Sequence, residues 1–292
     1  MSASLACTLL AVGFALALLG LFLWETVPVL RHSGWGYLTD ARWFHRQQEF
    51  GAAAMIYGTL AVSAVALALA VPIGLGTALF LAEIAPSRSR MPLKAALELL
   101  AGIPSVVYGL LGILFLREWV VRLLAPFDPL SGDTLLTAGI LLAVMILPTF
   151  ATLADDALRA VPAAHRRAAR ALGLTRAETI LRVCLPEARR GIVAAVLLAL
   201  GRAFGEGIAV FLVVGRQDNQ WPASLLSLRP LTEAGQTLGS KLVGAEVHLA
   251  YGDPLHWAAM MGLGLITLLL VTVLTLLATR LLRPSSHHAP RP

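Results

Sequence analysis

Six long apolar stretches recur along this 292-residue chain, and they limit its fold more than any other feature. They lie at residues 5–23, 53–81, 95–116, 135–154, 191–214 and 257–278. A helix of about 20 apolar residues satisfies its own backbone hydrogen bonds across the hydrocarbon core of a bilayer. With 58% apolar and only 14% charged residues, the chain has too few charges to cover a water-soluble surface. The sequence therefore predicts an all-α, polytopic membrane protein with six transmembrane helices and excludes an ordinary soluble enzyme.

The basic residues are divided unevenly between the two sides of such a six-span protein. Of 23 lysines and arginines, fourteen lie on the side of the N-terminus, eight lie on the other side, and Arg202 lies inside a span. Because cytoplasmic loops are enriched in Lys and Arg, we expect a multi-pass protein with both termini cytoplasmic. The net charge of +6 then reflects topology, and no nucleic-acid partner is predicted. The first stretch lacks a basic leader and a cleavage site, so we expect an uncleaved anchor.

We divide the chain into three regions. Residues 1–50 hold the first transmembrane helix and an external segment, residues 51–283 form the main transmembrane domain, and residues 284–292 are predicted to be a disordered cytoplasmic tail. Five tryptophans lie in or beside the external segments, and they indicate either membrane-interface anchors or a docking surface for an external partner: Trp24, Trp35, Trp43, Trp221 and Trp257. The two cysteines are far apart, and no metal site is predicted.

The cytoplasmic loop at residues 155–190 has the helix signals of a folded segment. Pro162 is placed to begin a first helix, and Gly173 to end it. Thr175 and Glu178 form a capping-box pattern for a second helix over residues 176–183, which Pro186 is expected to end. The spacing predicts two short helices separated by a glycine corner.

Within this loop, Arg167-Ala168-Ala169, Gly173, Val183 and Leu185-Pro186 match the spacing of a motif in the inner-membrane permease subunits of bacterial ABC importers. Arg167 stands where that family usually has glutamate. The chain resembles this family, and the resemblance implies the type I permease fold in a bacterial inner membrane. It also implies that the loop, which we call the coupling loop, docks on a cytoplasmic ATPase and passes motion to the spans.

The chain itself has no ATPase motif. A phosphate-binding P-loop needs a Gly-Lys pair followed by Ser or Thr, and neither lysine, Lys94 or Lys241, follows a glycine. We therefore expect a transporter subunit that is not an enzyme and holds no cofactor, with ATP bound by a separate ATPase.

Two charged residues lie inside the fifth span. Arg202 is about 16 Å along the helix from Gly191, where a charge requires a partner or a water-filled cavity. A helical projection places both charges on a face of mostly small residues suited to close packing: Gly191, Ala194, Ala195, Leu198, Gly201, Arg202, Gly205, Glu206 and Ala209. Arg202 and Glu206 are four residues apart, so they either pair with each other and hold the bundle together, or they line a pathway in which Arg202 meets an anion.

The third span contains the signs of a broken helix. Pro104 interrupts it, Gly102 and Gly109 permit close approach, and Ser105 and Tyr108 offer hydroxyls to the freed backbone or to a ligand. A kinked core helix is the alternative without a ligand.

The runs at residues 100–109 and 200–206 are similar to those of one branch of the family, the C-type permease subunits of Pst phosphate importers, although Gly207 stands where that branch usually has threonine. The resemblance implies import of phosphate, a second, A-type permease in a heterodimer, two ATPase subunits, an external phosphate-binding protein and a surface of membrane lipid. Other readings remain open: a permease for phosphonate, phosphite, sulfate or molybdate, or a non-transport membrane sensor of the phosphate response.

Overall fold

The computed structural model describes residues 2–125, 131–222 and 229–282, and the predicted tail at 284–292 lies outside them. Within these ranges the chain is mostly helical, with one short antiparallel hairpin of β1 (Trp43–Phe44) and β2 (Glu49–Phe50). The helices are, in chain order, α1 (Ser2–Ser33), α2 (Gly36–Thr39), α3 (Ala53–Leu79), α4 (Ser87–Ala101), α5 (Ser105–Leu111), α6 (Arg117–Leu124), α7 (Leu135–Arg159), α8 (Ala163–Ala171), α9 (Arg176–Thr179), α10 (Leu185–Gly205), α11 (Ile208–Val213), α12 (Leu238–Val243), α13 (Glu246–Ala250) and α14 (Pro254–Leu282). Three π-helical turns adjoin them, at Phe80–Ile84, Gly112–Leu116 and Ile180–Cys184.

Seven of the fourteen described helices contribute to candidate membrane spans. In the described part of the chain, α1, α3, α7 and α14 are long and apolar enough to cross a bilayer, and α4 followed by α5 and α6 makes a fifth span if the bent pair is one span. The remaining predicted span, at residues 191–214, is divided between α10 and α11. The all-α membrane fold is confirmed, and a total of six spans is compatible with it.

The third span is broken where the sequence predicted a kink. Segments Arg88–Ala101 and Ser105–Leu124 meet at an angle of 86°. Pro104 lies in the break, where it removes a backbone N–H and disfavours helical geometry for the residue before it.

The fifth span differs from the prediction of one continuous helix. α10 ends at Gly205 and α11 begins at Ile208, so Glu206 and Gly207 form a break within the span. Gly205 and Gly207 flank Glu206, and glycine is the weakest helix former after proline.

The helices on either side extend into the coupling loop at residues 155–190. α7 continues to Arg159, and α10 already begins at Leu185. The expectation that Pro186 ends a helix was wrong: the chain passes from α9 through the π-helical turn Ile180–Cys184 directly into α10. The Leu185 N–H donates to the carbonyl of Ile180 in this turn, and a local π-helical adjustment of this kind accommodates the missing N–H of a proline inside a continuous helix.

The chain forms two compact units. The first comprises Met1–Val62, Gly109–Ala138 and Phe204–Leu270, and the second comprises Ser63–Tyr108, Gly139–Ala203 and Val271–Pro292, each for its described residues.

The core of the first unit is built around aromatic side chains. Trp43, which the sequence suggested as an interface anchor or docking residue, is buried there at 3% exposure with Tyr37 and Phe50. The Tyr37 hydroxyl donates to the carbonyl of Ala259 at 2.7 Å, and its burial raises the pKa of the phenol. Trp24, Trp35 and Trp221 are exposed and Trp257 is half-buried, so these four remain available to lipid or a partner.

The core of the second unit lies along α7. Phe150, Ile146 and Leu158 are fully buried on this helix. A Cβ at Gly74 of α3 would lie 2.5 Å from Phe150 Cδ1, so α3 approaches α7 more closely than any larger residue permits. This packing fixes the elements that carry the candidate site.

Candidate functional site

Arg202 joins three helices of the second unit. Its Nη1 donates to Thr149 Oγ1 of α7 at 2.7 Å, and its Nη2 donates to the carbonyl of Ala101, the last residue of α4, at 3.3 Å. The residue is half-buried, and both acceptors are neutral oxygens. Sequence reasoning singled out Arg202 and missed Thr149. The available signal was a hydroxyl directly after Pro148 inside an apolar helix, since a proline in a span leaves a backbone carbonyl without its usual donor.

The break in the third span supplies the carbonyls at this site. α4 ends at Ala101, and the Tyr108 hydroxyl donates to the carbonyl of Leu100 at 2.8 Å. Tyr108 is buried, whereas Ser105 is half-buried and Pro104 is exposed. Of the two uses predicted for the hydroxyls, Tyr108 therefore serves the freed backbone.

Glu206 lies in the break of the fifth span and caps the next helix. Its Oε1 accepts a hydrogen bond from the backbone N–H of Ala209 at 3.1 Å, in the first turn of α11. A carboxylate at this place satisfies an orphan donor and interacts favourably with the helix dipole. The structure thus gives Glu206 a local role, and the pairing of Arg202 with Glu206 stays a prediction.

The predicted close-packing glycines behave differently from one another. A Cβ at Gly109 would lie 2.5 Å from Leu212 Cδ1 of α11, so close approach is confirmed there. At Gly102 and Gly201 a Cβ would make only ordinary contacts, and at Gly205 it would meet nothing within 4 Å. The described residues therefore make no close approach at these three positions.

Gly207 and Gly239 form a close contact that the sequence analysis missed. A Cβ at Gly207 would lie 2.9 Å from the carbonyl oxygen of Gly239, and one at Gly239 would lie 2.7 Å from that of Glu206. Gly239 belongs to α12, a short helix in the segment predicted to be an external loop, yet Leu238 and Ser240 beside it are fully buried. This segment is therefore packed into the first unit.

A buried charged cluster accompanies that segment. Lys241 Nζ is 2.6 Å from Asp218 Oδ2, also contacts Glu246, and lies 5.1 Å from the centre of the Trp43 ring. Glu246 Oε1 is also 2.8 Å from His256 Nε2.

The carboxylates of this cluster differ in pKa. Burial raises the pKa of Asp218 and outweighs the attraction of Lys241. Burial also acts to raise the pKa of Glu246, but hydrogen bonds and charge from Lys241 lower it overall. The signal in the sequence was that Lys241 is one of only two lysines among 23 basic residues.

The coupling loop is folded as the capping signals indicated. Gly173 adopts a left-handed φ of +85°, and Leu174 N–H donates to the carbonyl of Ala169 at 3.2 Å, which closes α8. The Thr175–Glu178 capping box is present, and backbone and side-chain hydrogen bonds from Thr175 hold the pKa of Glu178 below its usual value.

The motif residues of this loop differ in their exposure to solvent. Arg167, Ala168, Gly173 and Pro186 are exposed, Ala169 is buried, and Leu185 is half-buried. Leu172, at the end of α8, is 81% exposed. An apolar side chain beside two exposed basic positions is suited to contact with a protein partner.

A groove of about 490 Å³ runs along the small-residue face of α10 in the second unit. Four residues of that predicted face line it, namely Gly191, Ala194, Ala195 and Leu198, together with residues of α7 and α14. Among the described residues, no group of three His, Cys, Asp or Glu side chains is arranged to hold a metal ion.

Comparison with known proteins identifies the family. The family described as the inner membrane component of binding-protein-dependent transport systems matches residues 70–285. Two curated relatives, both called phosphate transport system permease protein PstC, come from Mesorhizobium japonicum and Haemophilus influenzae. The first is 37% identical over 263 residues, covering 85% of this chain and 77% of the relative. The second is 34% identical over 275 residues, covering 89% and 83%.

Solved structures show the same fold at lower identity. A chain of a bacterial alginate ABC transporter, solved with an alginate-bound periplasmic protein, matches with a TM-score of 0.59 at 18% identity, covering 96% of this chain and 94% of that one. A chain of the MetNI methionine ABC transporter matches with a TM-score of 0.55 at 19% identity, covering 78% and 95%. Fold, spans and motifs thus agree with the match over residues 70–285, and the chain belongs to the family of inner membrane components of binding-protein-dependent transport systems.

Proposed function

We propose that this chain is a permease subunit of an ATP-driven phosphate importer and that Arg202 contacts the anion as it crosses. The observation that carries the proposal is the environment of the Arg202 guanidinium, which donates to the neutral oxygens of Thr149 and Ala101 inside a membrane-spanning helix. A buried charge without a compensating charge is costly, so an arginine held in this way favours an anionic ligand. The names of the curated relatives support phosphate as that anion.

The Arg202 guanidinium has further N–H donors available for such a ligand. It carries five N–H groups, and the hydrogen bonds to Thr149 and Ala101 use one on each terminal nitrogen. Its planar donor geometry matches tetrahedral oxyanions. Thr149 and Ala101 fix the orientation of the side chain, so the anion meets a preorganised contact. A contact with a single arginine is weak enough to permit release of the anion on the other side of the membrane.

The coupling loop provides the contact for the energy source. We infer that the exposed face of α8, with Arg167, Ala168 and Leu172, docks on a cytoplasmic ATPase subunit. ATP is bound there, because neither lysine of this chain belongs to a P-loop motif. The basic residues of the loop favour a cytoplasmic location, with both termini on the same side.

The other partners follow from the assembly of the family. We infer an A-type permease as the second half of the pathway, two ATPase subunits and an external phosphate-binding protein. Gly205 is exposed, and a Cβ there would meet nothing within 4 Å, which supports close packing with a further helix at this position.

Transport by the reconstituted complex tests the proposal. The chain is purified with the partners encoded beside its gene, placed in lipid vesicles, and assayed for ATP-dependent uptake of labelled phosphate. We expect Arg202→Ala to reduce uptake at least about tenfold and Arg202→Lys to restore only part of it, because lysine lacks the planar fork of donors. Arg122→Ala is the matched control, since that arginine is exposed and its ion pair with Glu118 is a surface pair.

Three outcomes contradict the proposal in different ways. Full uptake by Arg202→Ala would show that this residue only holds the bundle together. Uptake of sulfate, molybdate, phosphite or phosphonate in preference to phosphate would replace the substrate. No ATP-dependent uptake of any oxyanion by an intact complex would favour a sensor.

A further inference from the structure

Arg166 connects the coupling loop to two helix ends of the second unit. Its Nη2 lies 2.8 Å from Glu83 Oε1, in the π-helical turn that ends α3. The same guanidinium donates to the carbonyls of Leu158 at 2.7 Å and Val161 at 3.1 Å, at the end of α7. The Arg166 and Glu83 side chains are 20% and 8% exposed, so the ion pair is shielded from water.

The π-helical turn that carries Glu83 is in turn fixed to α4. Arg90 of α4 donates from Nε to the carbonyl of Leu81 and from Nη2 to that of Ala82, each at 2.8 Å. One turn further along α4, Lys94 Nζ lies 2.7 Å from Asp156 Oδ1 of α7. The first half of α4 is therefore attached to the same helix ends that Arg166 holds.

The opposite end of α4 lies at Arg202. The carbonyl of Ala101 accepts from Arg202, and that of Leu100 accepts from Tyr108. α4 contains 15 residues, which corresponds to about 22 Å at 1.5 Å per residue. A continuous path of hydrogen bonds and one helix thus runs from Arg166 to the guanidinium of Arg202.

We propose that the Arg166–Glu83 ion pair is a positioning contact that transmits movement of the coupling loop through the end of α3 and through α4 to Arg202. The inference rests on the proposed function, in which α8 meets an ATPase and Arg202 meets the anion. A buried ion pair adds little net stability compared with apolar side chains of the same volume. The ion pair instead makes the end of α3 move together with α8. Polar networks and rigid helices can carry such a movement from one site to another.

Two single substitutions and one control test this role in the complete complex in vesicles. Glu83→Gln removes the charge and leaves the hydrogen bonds of Arg166 to Leu158 and Val161. Arg166→Lys keeps the charge and loses the multiple hydrogen bonds. Arg182→Lys is the matched control, because that arginine belongs to the same loop and is 72% exposed. Each complex is assayed for bound ATPase subunits, ATP hydrolysis and phosphate uptake.

We expect both test variants to keep the ATPase subunits and at least half of the ATP hydrolysis, while phosphate taken up per ATP falls about tenfold, within the usual range of coupling between sites. The control should keep the wild-type ratio. A ratio unchanged in both variants would overturn the proposal. So would loss of uptake and hydrolysis in equal proportion, or loss of the bound ATPase subunits from both variants, since these results indicate a structural role.

A second measurement does not depend on the substrate. Hydrogen–deuterium exchange of the backbone amides at residues 98–108 is compared with and without ATP and vanadate. We expect the nucleotide to change exchange in the wild type and in Arg182→Lys, and not in Glu83→Gln. An equal change in Glu83→Gln would overturn the inference. Failure of the wild type to import phosphate would overturn the proposed function alone.

Discussion

At the scale of single residues, the site depends on neighbours that are distant in sequence. Arg202 is held by Thr149 and by the carbonyl of Ala101, which lie 53 and 101 residues away from it along the chain. Gly207 is required by the backbone of Gly239. A sequence pattern identifies a charged residue in a span, but it does not show which hydroxyl or carbonyl receives its hydrogen bonds.

Gly207→Thr tests the residue contact directly, and it introduces the residue usual in the branch of the family that the chain resembles. The new Cβ would lie 2.8 Å from Val243 Cγ2 and 2.9 Å from the Gly239 carbonyl oxygen. We expect the free energy of unfolding to fall by about 1–3 kcal/mol, as is usual for an overpacked core. Thermal unfolding of the detergent-solubilised protein measures it.

Gly205→Ala is the control for that substitution. Its Cβ would meet nothing within 4 Å, so stability should be unchanged or slightly higher. If Gly207→Thr and Gly205→Ala are equally stable, α12 can move away from the break at 206–207 without lowering the free energy of unfolding.

At the scale of elements, breaks and turns in the helices decide where function is placed. The break at 102–104 exposes the carbonyls used by Arg202 and Tyr108, and the break at 206–207 lets Glu206 cap α11. The π-helical turn Ile180–Cys184 lets the coupling loop continue into α10. Pro104 predicted the first break and the glycines beside Glu206 favour the second, whereas the sequence around Pro186 did not reveal the π-helical turn.

The capping box of α9 gives a prediction with a defined pH dependence. Thr175→Ala removes the side chain that caps the helix, so amides at residues 177–184 should show roughly two- to tenfold lower protection from hydrogen exchange at pH 7. Hydrogen bonds from Thr175 lower the pKa of Glu178 in the folded state. The contribution of this carboxylate is therefore complete above the pKa of an unfolded glutamate, about 4.3, and is lost as the pH falls through the lower folded value.

The difference in protection between the wild type and Thr175→Ala should therefore be smaller at pH 3 than at pH 7, without vanishing, because the Thr175 hydroxyl still accepts from the Glu178 N–H. A difference that is as large at pH 3 as at pH 7 would show that the Glu178 carboxylate does not contribute to the cap. Thr279→Ala is a suitable control, because the Thr279 hydroxyl donates to its own helix in α14 and caps no amide.

At the scale of the whole molecule, the chain is one component of a transport system, and its exposed features are suited to contact with other subunits. The coupling loop exposes Leu172 beside basic side chains. Surfaces of this kind are costly to leave exposed unless something covers them.

Leu172→Glu tests the contact with the ATPase. A charged side chain at the centre of an apolar contact should lower the amount of ATPase subunit that copurifies by about tenfold or more, since 1.4 kcal/mol corresponds to a factor of ten in affinity. Leu172→Met keeps an apolar side chain of similar volume and should copurify normally. Normal copurification of Leu172→Glu would place the ATPase contact elsewhere on the chain.

The sequence by itself determined the membrane class, the helical fold, the broken third span and the folded coupling loop, and it singled out Arg202 as a candidate. These features are encoded locally, in apolar length, in proline and capping residues, and in the cost of a charge within a bilayer. Only the tertiary structure decided that Thr149 and Ala101 hold Arg202, that Glu206 caps α11, that Trp43 and Lys241 are buried, and that Arg166 joins the coupling loop to α3. Each of these depends on contacts between segments far apart in the chain, and no local pattern of residues specifies which distant backbone or side chain will be adjacent.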